Sequence, residues 1–198
     1  MASVTVPATD RGLRRLARRP SATHGVWSWF TTVDHKKIGI LYGVASFVFF
    51  LIGGLEALLI RVQLARPDQK VLDPATYNQI FTMHGVTMIF FVVMPLSAAF
   101  INYLLPLMIG ARDVAFPRLN AFSFWCWLAG GIFIYSSFLL GGAPNGGWFG
   151  YAPNSIVDAS PGMTFYSVGL LIAGIASTVS AVNLAVTVLN MRAPGMTL

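Results

Sequence analysis

The sequence predicts an all-α integral membrane protein with four transmembrane helices. Of its 198 residues, 56% are hydrophobic and only 10% are charged, whereas soluble domains carry about 25% charged residues. Four stretches stay apolar over the roughly 20 residues that a helix needs to cross a bilayer. Because lipid offers no hydrogen-bond partner to an unpaired backbone group, we expect all four stretches to be helical.

The first two predicted helices differ in their polar content. The first covers 38–60 and contains one charged residue, Glu56, to which the sequence assigns no role. The second covers 80–110 and has no formal charge. Proline lacks a backbone N–H and clashes with the preceding turn, so we expect Pro95 and Pro106 to kink the second helix or to end it.

The third and fourth predicted helices, 119–141 and 163–191, are free of charged residues. Small residues recur every fourth position in the fourth helix, a pattern that is typical of close helix packing. Packing is therefore the default role of the serine in this repeat, and hydrogen bonding to water is the alternative. The repeat consists of Ala173, Ser177 and Ala181.

The basic residues predict the orientation of the helices. Residues 1–37 hold seven Lys or Arg, and 142–162 hold none. By the positive-inside rule, both termini and the 111–118 turn face the cytoplasm. The sequence thus divides into a basic cytoplasmic tail, 1–37, and a transmembrane domain, 38–198. The net charge of +6 does not indicate nucleic-acid binding, because the basic residues stand at membrane edges rather than along one face.

One histidine, His84, falls inside the second predicted helix. Such a residue usually faces the interior of a bundle or a cofactor. The simplest interpretation is a hydrogen bond between two helices. The alternative is a shared ligand, because Arg61 ends the first helix on the same side of the membrane. A haem would use both side chains, with the imidazole on the iron and the guanidinium on a carbonyl or propionate oxygen.

A second group of polar residues stands near the predicted cytoplasmic side. Asn102 follows His84 by 18 residues, which is five helical turns and about 27 Å, so both should point to one side of a regular helix. Asp113, between two arginines, is either a solvated loop charge or the start of a water-filled proton path. Nearby Asn102 and Asn120 favour the path, because amides order water without holding a proton.

Five segments, in order, resemble subunit I of the haem–copper terminal oxidases, and the aa3-type cytochrome c oxidases are the most similar branch. The resemblance extends over about 27–198. It implies that the chain is the first third of a bundle of about twelve spanning helices. The segments are TTVDHKKIGILYG, LLIRVQL, MHGVTMIFFVVMP, NYLLPLMIGARDVAFPRLNAFSFW and NMRAPGMTL.

The resemblance implies two haem-related functions. His84 matches an axial ligand of the iron of the low-spin haem a, and Arg61 matches the arginine that bonds the formyl group of that haem. Trp148 stands where the family has a tryptophan near the propionates of haem a3. The ligands of haem a3 and of the copper ion CuB belong to later helices of the family and are absent here.

The resemblance also implies a proton pathway. Asp113 matches the acid at the mouth of the D channel, and three amides match those that order its entrance waters. A tyrosine lies beside them and a channel serine lies higher up. The amides are Asn102, Asn120 and Asn183, the tyrosine is Tyr42 and the serine is Ser177.

Three departures from the family pattern carry expectations. Gln63 replaces a carboxylate that helps some members bind a structural cation, so we do not predict calcium. Ala176 replaces a second channel serine, which alters the water chain. The chain ends in the middle of a family motif, so we expect a truncated sequence that is inactive on its own.

The sequence therefore predicts part of the catalytic subunit of a cytochrome c oxidase that reduces oxygen to water and pumps protons. The expected partners are oxidase subunits II and III, cytochrome c through subunit II, and the lipid bilayer, with no nucleic acid. The expected location is a bacterial inner (plasma) membrane, with the N-terminus in the cytoplasm. Two alternatives remain: a quinol oxidase of the same fold, and a non-catalytic four-helix membrane protein.

Overall fold

A computed structural model of the protein describes residues 25–157 and 160–197. Most of the predicted basic tail, 1–37, lies outside the described residues. The described chain is helical, with seven α-helices and one π-helical segment. These are α1 (Trp27–Phe30), α2 (His35–Gln63), α3 (Pro74–Val86), the π segment (Thr87–Val93), α4 (Met94–Met108), α5 (Pro117–Ser136), α6 (Asn154–Val157) and α7 (Gly162–Asn190).

Four spans in the described residues are long and apolar enough to cross a membrane, which confirms the predicted fold class. The second span is the continuous run α3–π–α4, from Pro74 to Met108. The third is shorter than predicted, because α5 ends at Ser136 rather than at 141. Gly141 and Gly142 take φ values of +118° and +112°, which a helix cannot contain, so the chain turns away there.

The first two spans each begin at an aspartate whose side chain caps the helix. The Asp34 carboxylate accepts a hydrogen bond of 2.8 Å from the Lys36 N–H at the start of α2. The Asp73 carboxylate accepts bonds from the N–H groups of Ala75 and Thr76, and from the Thr76 hydroxyl at 2.6 Å. These bonds satisfy donors that a helix start leaves unpaired. The Thr76 bonds also lower the pKa of the Asp73 carboxyl.

The second span changes helix type between His84 and Pro95. The π segment ends at Val93, two residues before Pro95, which lies in the first turn of α4. Pro95 cannot donate to the carbonyl four residues earlier, and the wider π turns precede that missing bond. Pro106 lies inside α4, close to its end at Met108. The prediction that His84 and Asn102 share one face assumed a regular α-helix, and the π segment breaks that count.

The four spans pack as two close pairs that meet at an aromatic core. Helix α2 packs along the α3–π–α4 span, and α5 packs along α7. The second pair touches at backbone distance, because a Cβ at Gly130 would lie 2.8 Å from the Gly169 carbonyl oxygen. Between the pairs, the Trp127 ring lies within 5.2 to 6.1 Å of four other rings, those of Tyr42, Phe49, Phe91 and Phe124.

The two ends of this bundle carry different connections. The 109–116 turn joins α4 to α5, and this end also holds the start of α2 and the end of α7; we call it the turn end. The opposite end, which we call the loop end, holds the 64–73 and 137–161 connections. Polar side chains concentrate near both ends, and these two groups are the candidate sites.

Candidate haem ligand and polar pathway

His84 lies near the end of α3 and bridges to α2. Its Nδ1 is 2.9 Å from the carbonyl oxygen of Gly53. A carbonyl oxygen only accepts hydrogen bonds, so Nδ1 carries a proton, and in the neutral ring Nε2 is left as a lone-pair nitrogen. Within the described chain Nε2 has no hydrogen-bond partner. The two interpretations of His84 therefore use different nitrogens of the same ring and are compatible.

This arrangement fits an axial ligand of a haem iron. Histidines that bind metals usually donate the other ring N–H to a carbonyl or a carboxylate, which fixes the tautomer and the ring orientation. The described residues contain no group of three or more His, Cys, Asp or Glu side chains that would hold a metal ion by themselves. A single oriented imidazole suits a porphyrin iron, whose other ligands come mainly from the macrocycle.

The other two residues predicted for haem binding lie at the same end of the bundle. Arg61 is in the last turn of α2 and is exposed, eight residues or about 12 Å along the helix from Gly53. Trp148 lies in the 137–161 loop, and its indole covers Gly85, so that a Cβ there would be 2.9 Å from Trp148 Cδ1. Trp148 thus sits beside the neighbour of His84, a contact that the sequence did not predict.

Two hydrogen bonds hold the Trp148 loop in place. The Gly147 N–H donates to the Thr82 hydroxyl of α3 at 3.0 Å. The Tyr166 hydroxyl of α7 donates to the Trp148 carbonyl oxygen. The loop is therefore fastened both to α3, which carries His84, and to α7.

At the turn end, Asp113 is buried and paired rather than solvated. It is 5% exposed, and its Oδ1 lies 3.2 Å from Nδ1 of His35, at the start of α2. The Val114 N–H also donates to Oδ1, at 2.9 Å. His35 is itself buried, and its Nε2 has no hydrogen-bond partner. The sequence did not single out His35, although this residue lies just before the first predicted helix, on the predicted cytoplasmic side that also holds Asp113.

Asn183 fastens the 109–116 turn to α7. Its Oδ1 accepts from the Phe116 N–H at 2.8 Å, and its Nδ2 donates to the Phe116 carbonyl at 3.2 Å. Thr187, one turn further along α7, accepts from the Ala115 N–H at 2.8 Å. Part of the hydrogen-bonding capacity of Asn183 is thus used by the backbone.

Asn102 and Asn120 present buried amide atoms that no protein group satisfies. Asn102 is 0% exposed and donates through Nδ2 to Ala98, while its Oδ1 has no partner. Asn120 is 1% exposed, and neither of its amide atoms has a partner. Buried polar groups are nearly always hydrogen-bonded, and internal water commonly satisfies those that the protein does not. The three atoms are therefore suited to hold water.

Hydroxyl groups continue from Asn120 towards a groove. The Ser123 hydroxyl donates to the backbone carbonyl oxygen of Asn120 at 2.8 Å. It lies 3.4 Å from the Tyr42 hydroxyl and 2.9 Å from the Ser180 hydroxyl, both of which can donate to it. Tyr42 and Ser180 line a groove of about 480 Å³ that Ser177 also lines. The sequence predicted Tyr42 and Ser177 but not the linking serines.

The small-residue repeat of α7 serves packing only in part. Ala173 packs against α5, because a Cβ at Gly130 would lie 3.2 Å from the Ala173 nitrogen. Ser177 and Ala181 line the groove, and Ala173 lines it as well. The Ser177 hydroxyl is exposed in the described chain and donates to the Gly174 carbonyl of its own helix at 2.9 Å.

Gln63 holds the 64–73 connection through its side-chain amide. Its Oε1 accepts from the N–H groups of Val71 and Leu72 at 3.0 and 2.8 Å, and its Nε2 donates to the Gln69 carbonyl oxygen. A neutral amide thus binds both donors and an acceptor of this loop.

Comparison with known protein families gives a match to the model described as "Cytochrome C and Quinol oxidase polypeptide I", over residues 37–198. The chain belongs to this family. Its four spans make it part of an all-helical, multi-pass membrane protein, and its relatives are subunits I of haem–copper oxidases.

Several curated proteins resemble this chain closely. It is 52% identical over 183 residues to "Cytochrome c oxidase subunit 1" of Bacillus sp. (strain PS3), which covers 92% of the chain and 30% of that protein. It is 49% identical over 185 residues to the protein of the same name in Bacillus subtilis (93% and 30%). It is 48% identical over 176 residues to "Quinol oxidase subunit 1" of Bacillus spizizenii (87% and 27%). The chain spans about three tenths of the length of these relatives.

Proposed function

We propose that this chain is the part of a terminal oxidase subunit I that supplies a low-spin haem a ligand and the entrance of a proton pathway. The parent enzyme would reduce oxygen to water with electrons from cytochrome c and pump protons. The observation that carries this proposal is the His84 ring, fixed by the Gly53 carbonyl through Nδ1 and open at Nε2.

In the haem site, His84 binds the iron and Arg61 hydrogen-bonds the formyl group. The haem, when bound, accepts and passes on single electrons. The chain's own part is to orient the imidazole and to place a cation at the edge of the cofactor, both of which tune a haem's reduction potential. Trp148 lies over Gly85, the neighbour of His84 in α3. The second haem, haem a3, and CuB belong to the part of the subunit beyond these four spans.

In the proton pathway, Asp113 takes up protons at the turn end and passes them to water. Its pairing with His35 keeps a carboxylate in a buried position that would otherwise be costly. The unsatisfied atoms of Asn102 and Asn120 hold the first waters, and Asn183 fixes the turn that carries Asp113. The hydroxyls of Tyr42, Ser123 and Ser180 lead on to the groove at Ser177.

The orientation follows from the charge pattern. We propose that the turn end faces the cytoplasm, together with the basic residues of 1–37, and that the loop end faces outward in a bacterial plasma membrane. Electrons would then reach the His84 end from outside. The partners would be oxidase subunits II and III, with cytochrome c docking through subunit II.

A quinol oxidase is the second candidate function, because a relative at 48% identity is named as one. The experiment that separates the two uses the full-length subunit assembled with its partner subunits in membranes. Oxygen consumption is measured with reduced cytochrome c and, separately, with a reduced quinol. The proposal expects consumption with cytochrome c and external acidification; consumption with quinol alone would transfer the chain to the second candidate. If no oxygen is consumed with either donor, the non-catalytic alternative would be favoured.

A further inference from the structure

Glu56 is a buried acid that the proposed function does not use. It lies in α2 and is 7% exposed. Its Oε1 accepts a hydrogen bond of 3.0 Å from the Tyr135 hydroxyl of α5. Its Oε2 is buried and has no partner. An acid in this state is either ionised at high cost or holds a proton on the free oxygen.

The hydrogen bonds around Glu56 form a directed chain across three elements. The Thr87 hydroxyl of the π segment lies 2.5 Å from the Tyr135 hydroxyl. Since Tyr135 gives its proton to Glu56, Thr87 must be the donor in the other bond. The chain therefore runs from Thr87 through Tyr135 to Glu56, and Oε2 is its open end.

No positively charged group faces Glu56 within the described residues. On α5 the titratable neighbour is Tyr135, and on α3 it is His84, whose N–H points to the Gly53 carbonyl. The π segment contributes no titratable side chain. Arg61 of the same helix follows Glu56 by five residues, which turns it about 140° away. A buried carboxylate without such a partner is unfavourable.

Glu56 lies one helical turn along α2 from Gly53, whose carbonyl oxygen accepts the hydrogen bond from the imidazole of His84. Gly53 and Glu56 are three residues apart on one face of α2, with a rise of about 4.5 Å. On the facing span, His84 and Thr87 have the same spacing, and Thr87 packs against Gly53. A change of charge at an iron held by His84 would be felt strongly at Glu56, because Glu56 is buried inside the bundle, where charges are screened poorly.

We propose that Glu56 is a proton-binding site linked to the electron on the haem that His84 binds. This inference rests on the haem assignment of the proposed function. If the iron that His84 would hold gained one electron from the oxidase's donor, Oε2 of Glu56 would take one proton from water and form an O–H bond. If that electron were passed on, the O–H bond would release its proton to water. Tyr135, in the last turn of α5, places this site near the loop end, from which the proton comes.

The test is a redox titration of the low-spin haem at several pH values in the assembled full-length oxidase. In the wild type, the midpoint potential should fall as pH rises, since reduction takes up a proton. Glu56→Gln keeps the size of the side chain and an oxygen that accepts from Tyr135, but it cannot bind and release the proton. The midpoint potential of this variant should therefore change less with pH than that of the wild type. Tyr135→Phe, the matched control, keeps the carboxyl and should keep a pH-dependent midpoint, displaced from that of the wild type.

A slope in Glu56→Gln equal to that of the wild type would overturn the proton link. Redox-difference infrared spectra of the wild type provide a second readout that needs no folded variant. A band of a protonated carboxyl should appear on reduction and shift in heavy water, and no carboxyl band in this difference spectrum would also overturn the link. Either result, with the low-spin haem present, leaves the proposed function intact; a wild type without that haem would remove the proposed function instead.

Discussion

The Nδ1–H of His84 donates to the carbonyl oxygen of Gly53 across the α2–α3 interface, at 2.9 Å. This bond fixes the ring in one tautomer and directs Nε2 away from the neighbouring helix. Gly53 allows the approach, since a Cβ there would lie 2.9 Å from Met88 Sδ and 3.2 Å from Thr87 Cγ2. The close packing of the two spans and the orientation of the imidazole thus both depend on Gly53.

Substitution of Gly85 tests the contact between Trp148 and the helix of His84. A Cβ at Gly85 would stand 2.9 Å from Trp148 Cδ1 and 3.1 Å from its Cβ, so Gly85→Ala should displace the indole. Overpacking of this kind costs about 1–3 kcal/mol. We expect a lower thermal midpoint of the assembled oxidase and a shifted low-spin haem absorbance.

The matched control for this prediction is the double variant Gly85→Ala with Trp148→Ala, which removes the clashing ring. Adding Gly85→Ala to Trp148→Ala should lower the stability much less than Gly85→Ala lowers it in the wild type. Equal destabilisation by Gly85→Ala in both backgrounds would show that the indole does not lie on Gly85.

Asp113→Asn tests the entrance of the proton pathway. The amide keeps the size of the side chain but cannot take up and release a proton, so turnover or the number of protons pumped per electron should fall. The readout is oxygen consumption together with proton release from reconstituted vesicles. Arg112→Gln, at the exposed neighbour, is the control and should leave both quantities near wild type. Wild-type stoichiometry and rate in Asp113→Asn would rule out this role.

Protonation of the Asp73 cap should loosen the start of α3. Because hydrogen bonds from Thr76 hold the pKa of Asp73 below its ordinary value, the folded state favours the ionised form. Its stabilising effect is thus present above the unfolded pKa and is lost as pH falls through the folded pKa. Amide exchange at Ala75 and Thr76, corrected for intrinsic rates, should accelerate over that acidic interval.

Asp73→Asn is the control for the cap, because asparagine accepts the same backbone bonds without a charge. In this variant, the corrected exchange rates at Ala75 and Thr76 should lose their dependence on pH. A wild type whose corrected rates do not change on acidification would contradict the prediction.

Apolar length and charge were enough to predict the four spans, because the bilayer imposes both constraints on any chain that crosses it. They did not predict the π segment, whose cause is local: the backbone adjusts ahead of Pro95. They also placed the end of the third span five residues late, since Gly141 appears apolar but takes a conformation outside the helix.

For the candidate site, the sequence identified residues but not their partners. His84, Asp113 and Asn120 were visible as polar groups among apolar ones. The Gly53 carbonyl that orients His84 is a backbone atom and leaves no trace in composition. His35, which pairs with Asp113, is 78 residues away, and Tyr135, which pairs with Glu56, is 79 residues away. Only the packing of the helices brings such pairs together.

The most direct test of the account is the reduced-minus-oxidised absorbance spectrum of His84→Ala in the assembled full-length oxidase. We expect the low-spin haem signal to disappear while the subunits still assemble, because the imidazole Nε2 is the ligand that this chain would provide. His35→Ala, which removes the other described histidine, should keep that signal. An unchanged low-spin haem spectrum in His84→Ala would contradict the central claim.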